Sequence, residues 1–150
     1  RKVNQKKMKI SIGADHAGFS VKEEIRQYLE LKKYNIIDKG AFSEESVDYP
    51  EFGHSVGNSV QTGESDIGIV VCGSGIGISM AANKIEGIRA ALCTSPEHAK
   101  MSRLHNDANV LALGARMTDY DLIIQIIDTW LNTKFEGGRH SRRVNKIEVS

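Results

Sequence analysis

Residues 67–77 of this 150-residue chain, which indicate its fold most clearly, read Ile67-Gly68-Ile69-Val70-Val71-Cys72-Gly73-Ser74-Gly75-Ile76-Gly77. The first six of these residues form a continuous apolar run, which is typical of a parallel strand covered on both faces. Three glycines at alternate positions follow, so backbone N–H groups can approach an anion at the start of a helix. The stretch therefore predicts a buried strand over 67–72, a turn, and a helix over 76–83.

The same succession of strand and helix patterns occurs along the rest of the chain. Short apolar runs predict strands at 9–13, 35–38, 88–93 and 110–113. Apolar spacing and start signals predict helices around 21–29, 50–60, 95–105 and 122–131. Five strand–helix units with short connections indicate an α/β chain with a three-layer α/β/α, Rossmann-like fold and a five-stranded parallel sheet.

The two ends of the chain differ from its body in charge. Residues 1–7 carry four positive charges and residues 137–150 a net +3, which leaves −6 on residues 8–136 within a total of +1. We expect a single domain over 8–150, with 1–7 as a basic N-terminal extension. We also expect a basic C-terminal tail or helix, anchored by Val144, Ile147 and Val149 and contacting a partner subunit.

Composition excludes several functional classes. The acidic body and the aromatic content of only 6% argue against nucleic acid as a partner. No run approaches the roughly 18 consecutive apolar residues of a membrane span, so we expect no membrane partner. The two cysteines, Cys72 and Cys93, both lie in apolar runs. Reduced thiols in a cytoplasmic protein are the interpretation that this favours.

Candidate site residues follow from the fold. Because ligands of open α/β sheets bind outside the carboxyl ends of the strands, the residues after each strand are the candidates. We expect acid, imidazole, thiol, hydroxyl, phenol and guanidinium groups to converge on one edge of the sheet. These groups and the glycine turn are Asp15, His16, Tyr49, Cys72, Gly73, Ser74, Gly75, Gly77, His105, Asn106 and Arg116.

Most of these residues also have a structural interpretation. Cys72 is either a small buried hydrophobe or a thiolate stabilised by the helix that follows it. Asp15 can cap the first helix, and His16 and His105 can cap turns or lie in solvent. The glycine turn does not match a dinucleotide fingerprint, since residue 78 is Ile. That turn can instead hold an anionic intermediate beside Cys72.

Two arginines of the C-terminal segment have the spacing of a phosphate clamp. Arg139 and Arg143 are four residues apart, so on a helix their guanidinium groups face the same point. They can grip a phosphate there. A solvated basic tail is the alternative interpretation.

Taken together, the motifs resemble the type B ribose-5-phosphate isomerases, in the family shared with the galactose-6-phosphate isomerase subunits. The likeness runs from Met8 to about Ile147. The motifs that carry it are Gly13-Ala14-Asp15-His16-Ala17-Gly18-Phe19, Asp48-Tyr49-Pro50, Cys72-Gly73-Ser74-Gly75-Ile76-Gly77-Ile78-Ser79, Ala81-Ala82-Asn83-Lys84, His105-Asn106-Asp107-Ala108-Asn109-Val110-Leu111, Leu113-Gly114-Ala115-Arg116, Gly138-Arg139-His140 and Arg142-Arg143.

The resemblance implies an aldose–ketose isomerase of the pentose phosphate pathway that interconverts ribose 5-phosphate and ribulose 5-phosphate. The reaction passes through a cis-enediolate and needs no metal or organic cofactor. By the same resemblance Cys72 is the base, Ser74 bonds near the thiol and the sugar oxygens, and Asp15 and His105 open the sugar ring. Further implied roles are a wall of the sugar site for Tyr49, enediolate binding for Gly73, Gly75, Gly77 and Asn106, and phosphate binding for His16, Arg116, Arg139 and Arg143.

The resemblance also implies a homodimer or homotetramer whose active site lies at the subunit interface. Two other functions stay open at this point. One is a 6-phosphohexose isomerase acting on allose or galactose 6-phosphate, because the sequence does not report the depth of the site. The other is a non-catalytic, flavodoxin-like module that binds a phosphorylated ligand or a nucleotide.

Overall fold

Five parallel strands form one sheet with the order β2-β1-β3-β5-β4 in the computed structural model, which describes residues 8–149. The predicted parallel α/β fold is confirmed, whereas the predicted extension at residues 1–7 lies outside the described residues. The elements are β1 (Lys9–Ala14), α1 (Phe19–Leu31), β2 (Asn35–Asp38), α2 (Tyr49–Gln61), β3 (Ile67–Cys72), α3 (Ile76–Asn83), β4 (Ala90–Leu92), α4 (Pro96–Leu104), β5 (Val110–Gly114), α5 (Tyr120–Leu131) and α6 (Arg139–Asn145).

Both faces of the sheet are buried, as the continuous apolar run of β3 predicts. Ile69 and Val71 point into the core beneath α1 and α5, while Val70 and Cys72 point into the core beneath α2 and α3. The two layers of helices bury alternate residues of the same strand. No helix among residues 8–149 has the length and apolar character needed to cross a membrane.

The strand β4 is shorter than the predicted 88–93, because asparagine side chains replace strand pairing at its start. Asn109 accepts the N–H of Arg89 at 2.7 Å and donates to the carbonyl of Gly87 at 2.9 Å. The carboxamide of Asn83 bonds both backbone groups of Ala90, at 2.7 and 3.0 Å. These contacts satisfy an outer edge that would otherwise be open to another strand.

A buried ion pair fixes the connection between β2 and α2, which carries residues toward the carboxyl edge of the sheet. The Lys22 side chain is fully buried, and its Nζ lies 2.7 Å from Asp38 Oδ1 and 2.9 Å from Glu23 Oε2. Asp38 also accepts the N–H of Gly40 at 2.9 Å, and the carbonyl of Gly40 accepts the N–H of Ala14 at 2.7 Å. The connection is thereby tied to the end of β1.

The C-terminal segment forms the short helix α6, which its own chain anchors in part. His140 and Val144 are buried, and the N–H of Glu136 donates to the carbonyl of Leu104 at 3.0 Å. Ile147 and Val149 are 49% and 99% exposed, so of the three predicted apolar anchors only Val144 is buried. The positive charges of α6 remain at the surface.

Candidate active site

Cys72 lies at the carboxyl end of β3, where the turn into α3 surrounds its sulfur. Cys72 is 5% exposed, and its Sγ accepts the N–H of Gly75 at 3.2 Å. Gly75 has a φ of +82°, and a Cβ there would lie 2.8 Å from the carbonyl carbon of Leu113. Only glycine fits this position, which aims an N–H donor at the sulfur.

The first turn of α3 presents further donors beside Cys72. Ser74 Oγ accepts the N–H of Ile76 at 3.1 Å, so this hydroxyl oxygen serves part of the helix start and keeps its proton available to a ligand. The first N–H groups of a helix have no partner within the helix and carry a partial positive charge. The turn from Gly73 to Gly77 is therefore suited to an anion.

Arg116 follows β5 and lies next to the same turn. Its N–H donates to the carbonyl of Gly73 at 2.9 Å. A Cβ on Gly73 would lie 3.5 Å from Arg116 Nη1 and 3.8 Å from Ala17 Cβ. The Arg116 guanidinium and the turn that carries Asp15 and His16 thus both lie next to Gly73.

Asp15 and His16 are held at the carboxyl end of β1. Asp15 is 7% exposed, and its Oδ1 accepts the N–H of Gly18 at 3.0 Å, so this carboxylate caps the turn that begins α1. Nδ1 of His16 lies 3.1 Å from the N of Val47 and 3.2 Å from its O. A neutral ring that accepts the Val47 N–H at Nδ1 carries its proton on Nε2, where it can donate to an anion.

Tyr49 forms a wall over the first turn of α3. A Cβ on Gly77 would lie only 2.6 Å from Cε1 and Cζ of Tyr49, so the ring rests directly on that glycine. Tyr49 is the first residue of α2 and is 41% exposed. Its position depends on how closely α2 approaches α3, where Gly53 packs against Ala81 with no room for a Cβ.

The prediction that all candidate side chains converge on one edge within one chain is wrong. His105 is the C-cap of α4, and Asn106 follows it directly before the loop into β5. A helix that connects two parallel strands returns the chain to the amino edge of the sheet, and β5 alone spans about 13 Å between the two edges. His105 and Asn106 therefore lie at the edge opposite Cys72.

The C-terminal arginines belong to the same second group. Helix α6 packs near the end of α4, through the bond from Glu136 to Leu104 and through a stack of His140 on His105. Arg139 and Arg143 are exposed on this helix. Each chain thus carries two separate groups of candidate residues, one around Cys72 and one around His105, which are called half-sites below.

Glu136 and His140 also lie beside His105, although neither was predicted from the sequence as a site residue. The ring centroids of His105 and His140 are 4.4 Å apart with 18° between the ring planes, and Glu136 Oε1 lies 3.2 Å from His140 Nε2. The same carboxylate oxygen lies 4.0 Å from His105 Nε2. The four-residue spacing of Glu136 and His140 is the only signal in the sequence, whereas the contact with His105 is long-range.

Among residues 8–149, these three side chains form a cluster of the residue types that bind metal ions. Their ligand atoms lie within 4.8 Å of one another. An imidazole nitrogen binds a metal in the plane of its ring. Two nearly parallel rings do not direct both nitrogens at one ion unless one ring turns. The geometry therefore favours stacking over coordination.

Two further features lie away from Cys72 and the glycine turn. Burial raises the pKa of the Cys93 thiol to about 11, which keeps it protonated as a small buried side chain. A cavity of about 660 Å³ lies along the outer edge of β4, where Asn83, Ile88 and Ile147 are among its lining residues. Neither feature contacts the glycine turn.

Comparison with known proteins places this arrangement in a family. The profile of the Ribose/Galactose Isomerase family matches residues 10–147. Ribose-5-phosphate isomerase B of Escherichia coli is 49% identical over 139 residues, which cover 93% of each chain.

Solved structures agree. That of ribose-5-phosphate isomerase B from Clostridium thermocellum is 56% identical, with a TM-score of 0.93 over 93% of this chain and 95% of that one. The Mycoplasma genitalium enzyme, solved with bound ribulose 5-phosphate, is 41% identical, with a TM-score of 0.88 over 93% of each chain. The protein described here therefore belongs to the Ribose/Galactose Isomerase family.

Proposed function

We propose that the protein interconverts ribose 5-phosphate and ribulose 5-phosphate through a cis-enediolate, with Cys72 as the base. The observation that carries the proposal is the buried sulfur of Cys72 at the start of α3, with the Gly75 N–H directed at it. The relatives named ribose-5-phosphate isomerase B and the relative with bound ribulose 5-phosphate support this substrate.

The chemistry assigned to Cys72 is a proton transfer between neighbouring carbons. The thiolate removes the proton from C2 of the open-chain aldose, and the electron pair of that C–H bond passes to the carbonyl oxygen on C1. A proton passes from the C2 hydroxyl to the oxygen on C1, and return of the abstracted proton to C1 as the C2 carbonyl forms completes the ketose. The Gly75 N–H fixes the position of the sulfur beside the glycine turn, where the base must meet C2.

The enediolate carries negative charge that the glycine turn is arranged to receive. The N–H groups between Gly73 and Gly77 are fixed before the reaction, and the hydroxyl of Ser74 adds a donor. Such fixed donors act without reorganisation, and removing one from an oxyanion site costs about 2.7–4 kcal/mol of transition-state stabilisation in other enzymes. No step assigned here to the chain's own residues requires a metal or an organic cofactor.

The separation of the two half-sites supports an active site shared between subunits. His16 and Arg116 lie with Cys72, whereas Asn106, Arg139 and Arg143 lie at the opposite edge of the same chain. We propose a homodimer, or a tetramer built from dimers, in which the second copy supplies these three residues and His105 to the Cys72 site. Four basic side chains then surround the phosphate of one substrate.

Ring opening is the step assigned to Asp15 and His105. Ribose 5-phosphate is mainly a furanose, so C2 becomes acidic only after the ring has opened to the aldehyde. Asp15 approaches the sugar from the Cys72 side, and His105 approaches it from the second copy.

The two reduced cysteines support the expected cytoplasmic location.

A 6-phosphohexose isomerase is the second candidate, because the matching family includes galactose as well as ribose isomerases. The wall formed by Tyr49 over Gly77 limits the length of the sugar that fits beside Cys72. Comparing kcat/KM for ribose 5-phosphate, allose 6-phosphate and galactose 6-phosphate decides between the two. A higher value for either hexose phosphate would overturn the pentose assignment.

Replacement of Cys72 tests the assigned base. The Cys72→Ala variant removes the only sulfur at the start of α3 and leaves a small side chain in a well-packed position. We expect it to lose exchange of the C2 proton with solvent while its thermal unfolding stays close to that of the wild type. Retention of exchange in a folded variant would show that another group is the base.

A further inference from the structure

We propose that Glu136 and His140 are positioning residues that hold the imidazole of His105 for proton transfer during opening of the sugar ring. The inference rests on the proposed function, because it assumes that His105 meets a furanose substrate. It concerns contacts within one chain, so it does not depend on how the second copy docks.

The starting point is a three-residue unit joined to the end of α4. The backbone N–H of Glu136 donates to the carbonyl of Leu104 at 3.0 Å, directly before His105. The side chain of Glu136 then lies 3.2 Å from Nε2 of His140, four residues further along the chain. Glu136 is thus fixed by its backbone to the segment that carries His105.

The second contact is between the two imidazole rings. His140 is 8% exposed and lies in the interior between α6 and α4. Its ring stacks on that of His105 at 4.4 Å with 18° between the planes. The side chain of His105 is 40% exposed, so without this stack its ring would rotate among several conformations.

The carboxylate of Glu136 orients the supporting ring, since its Oε1 lies 3.2 Å from His140 Nε2. Electrostatic attraction favours the ring orientation that turns Nε2 toward this carboxylate, which limits the rotation of the His140 ring. The flat face that this ring offers to His105 is therefore held in one plane. Glu136 therefore positions His140, and His140 positions His105. Of the two imidazole rings, only that of His105 is well exposed.

The carboxylate also suits the charge that His105 acquires. In ring opening the proton of the C1 hydroxyl passes to His105, and the bond between C1 and the ring oxygen breaks with its electron pair moving to that oxygen. The same proton then passes from His105 to the ring oxygen, which yields the aldehyde and a C4 hydroxyl. The transient imidazolium lies 4.0 Å from Glu136 Oε1, close enough for favourable electrostatic attraction.

Two reactions separate ring opening from enolisation. Turnover of ribose 5-phosphate requires both steps, because this sugar is mainly a closed furanose. Ribulose 5-phosphate has no furanose ring, since its O5 carries the phosphate, and exchange of its C1 proton with solvent deuterium requires enolisation alone. A positioning role for ring opening therefore predicts a loss in the first reaction and none in the second.

The variants are Glu136→Gln and His140→Phe, with Glu24→Gln on α1 as a matched neutralisation of an exposed carboxylate. Glu136 has a side chain that is 58% exposed, so its amide variant is expected to fold, and thermal unfolding checks this. We expect Glu136→Gln to lower kcat for ribose 5-phosphate about tenfold. We expect His140→Phe to lower it by up to about 100-fold, the loss that a misplacement of about 1 Å produces. Both should keep the wild-type rate of deuterium exchange into ribulose 5-phosphate.

An equal loss of both reactions in folded Glu136→Gln would overturn the inference, because the carboxylate would then act on binding or enolisation. Wild-type rates in both reactions would overturn it as well, since His105 would need no support. Failure of the proposed function itself has a different signature. In that case deuterium exchange into ribulose 5-phosphate would be absent from the wild type or would persist in Cys72→Ala.

Discussion

We expect Gly77→Ala to lower catalytic activity without lowering the stability of the fold. The new Cβ would lie 2.6 Å from two ring carbons of Tyr49, whereas carbon atoms in contact prefer about 3.5–4.0 Å. The ring must therefore move by about 1 Å. Because Tyr49 is 41% exposed and the clash involves the far end of its side chain, the ring can move without displacing backbone.

The magnitudes follow from these contacts. Alanine in place of glycine favours a helix by up to about 1 kcal/mol, so the free energy of unfolding should stay the same or rise slightly. A displacement of about 1 Å in a wall of the sugar site should lower kcat/KM for ribose 5-phosphate by about 10-fold to 100-fold. The measurements are initial rates in a coupled ketose assay and thermal unfolding of the same preparations.

Two further variants serve as controls for this prediction. Tyr49→Ala removes the ring, so adding Gly77→Ala to it should cause little further loss, and the two effects should not be additive. Gly75→Ala offers the opposite contrast, because its Cβ would meet backbone at 2.8 Å and its φ is +82°, and it should mainly destabilise the fold. Wild-type kcat/KM in Gly77→Ala, or additive losses in the double variant, would refute the reasoning.

Other expected outcomes concern α6 and Cys93. Arg139→Ala should raise KM for ribose 5-phosphate while leaving thermal unfolding nearly unchanged. Arg142→Ala on the same exposed helix should change neither KM nor thermal unfolding. Equal effects of the two variants on KM would remove the specific role of Arg139. The pKa of Cys93 is raised from 9.0 to about 11 by burial, so the folded state favours the neutral thiol and the stability this gives is present below pH 9. It should be lost as the pH rises from 9 to 11, by about 2–3 kcal/mol in the free energy of unfolding. Cys93→Ala should lack this loss, and an unchanged slope in that variant would contradict the assignment.

The agreement between sequence and structure is best where local pattern decides the outcome. The strand 67–72 and the helix 76–83 were predicted with the bounds that the structure shows, because an apolar run and a glycine turn act over neighbouring residues. The start of β4 was misplaced, because the side chains of Asn83 and Asn109 take over bonds that a strand would make. Hydrogen bonds from side chains to the backbone produce no periodic pattern in the sequence that could predict them.

The candidate site shows a different limit. Cys72, Ser74, Asp15, His16 and Arg116 were correctly placed together, since each follows a strand at the same edge. His105 and Asn106 were placed at that edge although they follow a helix, and the topology of a parallel sheet already puts helix ends at the opposite edge. Glu136 and His140 were not identified, because their contact with His105 joins segments about 30 residues apart in the chain.

The central claim is that two copies of the chain complete one active site, with Cys72 from one and the arginines of α6 from the other. Subunit complementation tests it: Cys72→Ala is mixed with the double variant Arg139→Ala, Arg143→Ala after dissociation and reassociation. Each variant alone should have little activity, whereas random pairing makes half of the dimers mixed, and each mixed dimer has one complete site. We expect recovery of about a quarter of the wild-type activity in the mixture. A mixture that stays at the level of the separate variants, while shown to contain mixed dimers, would contradict it.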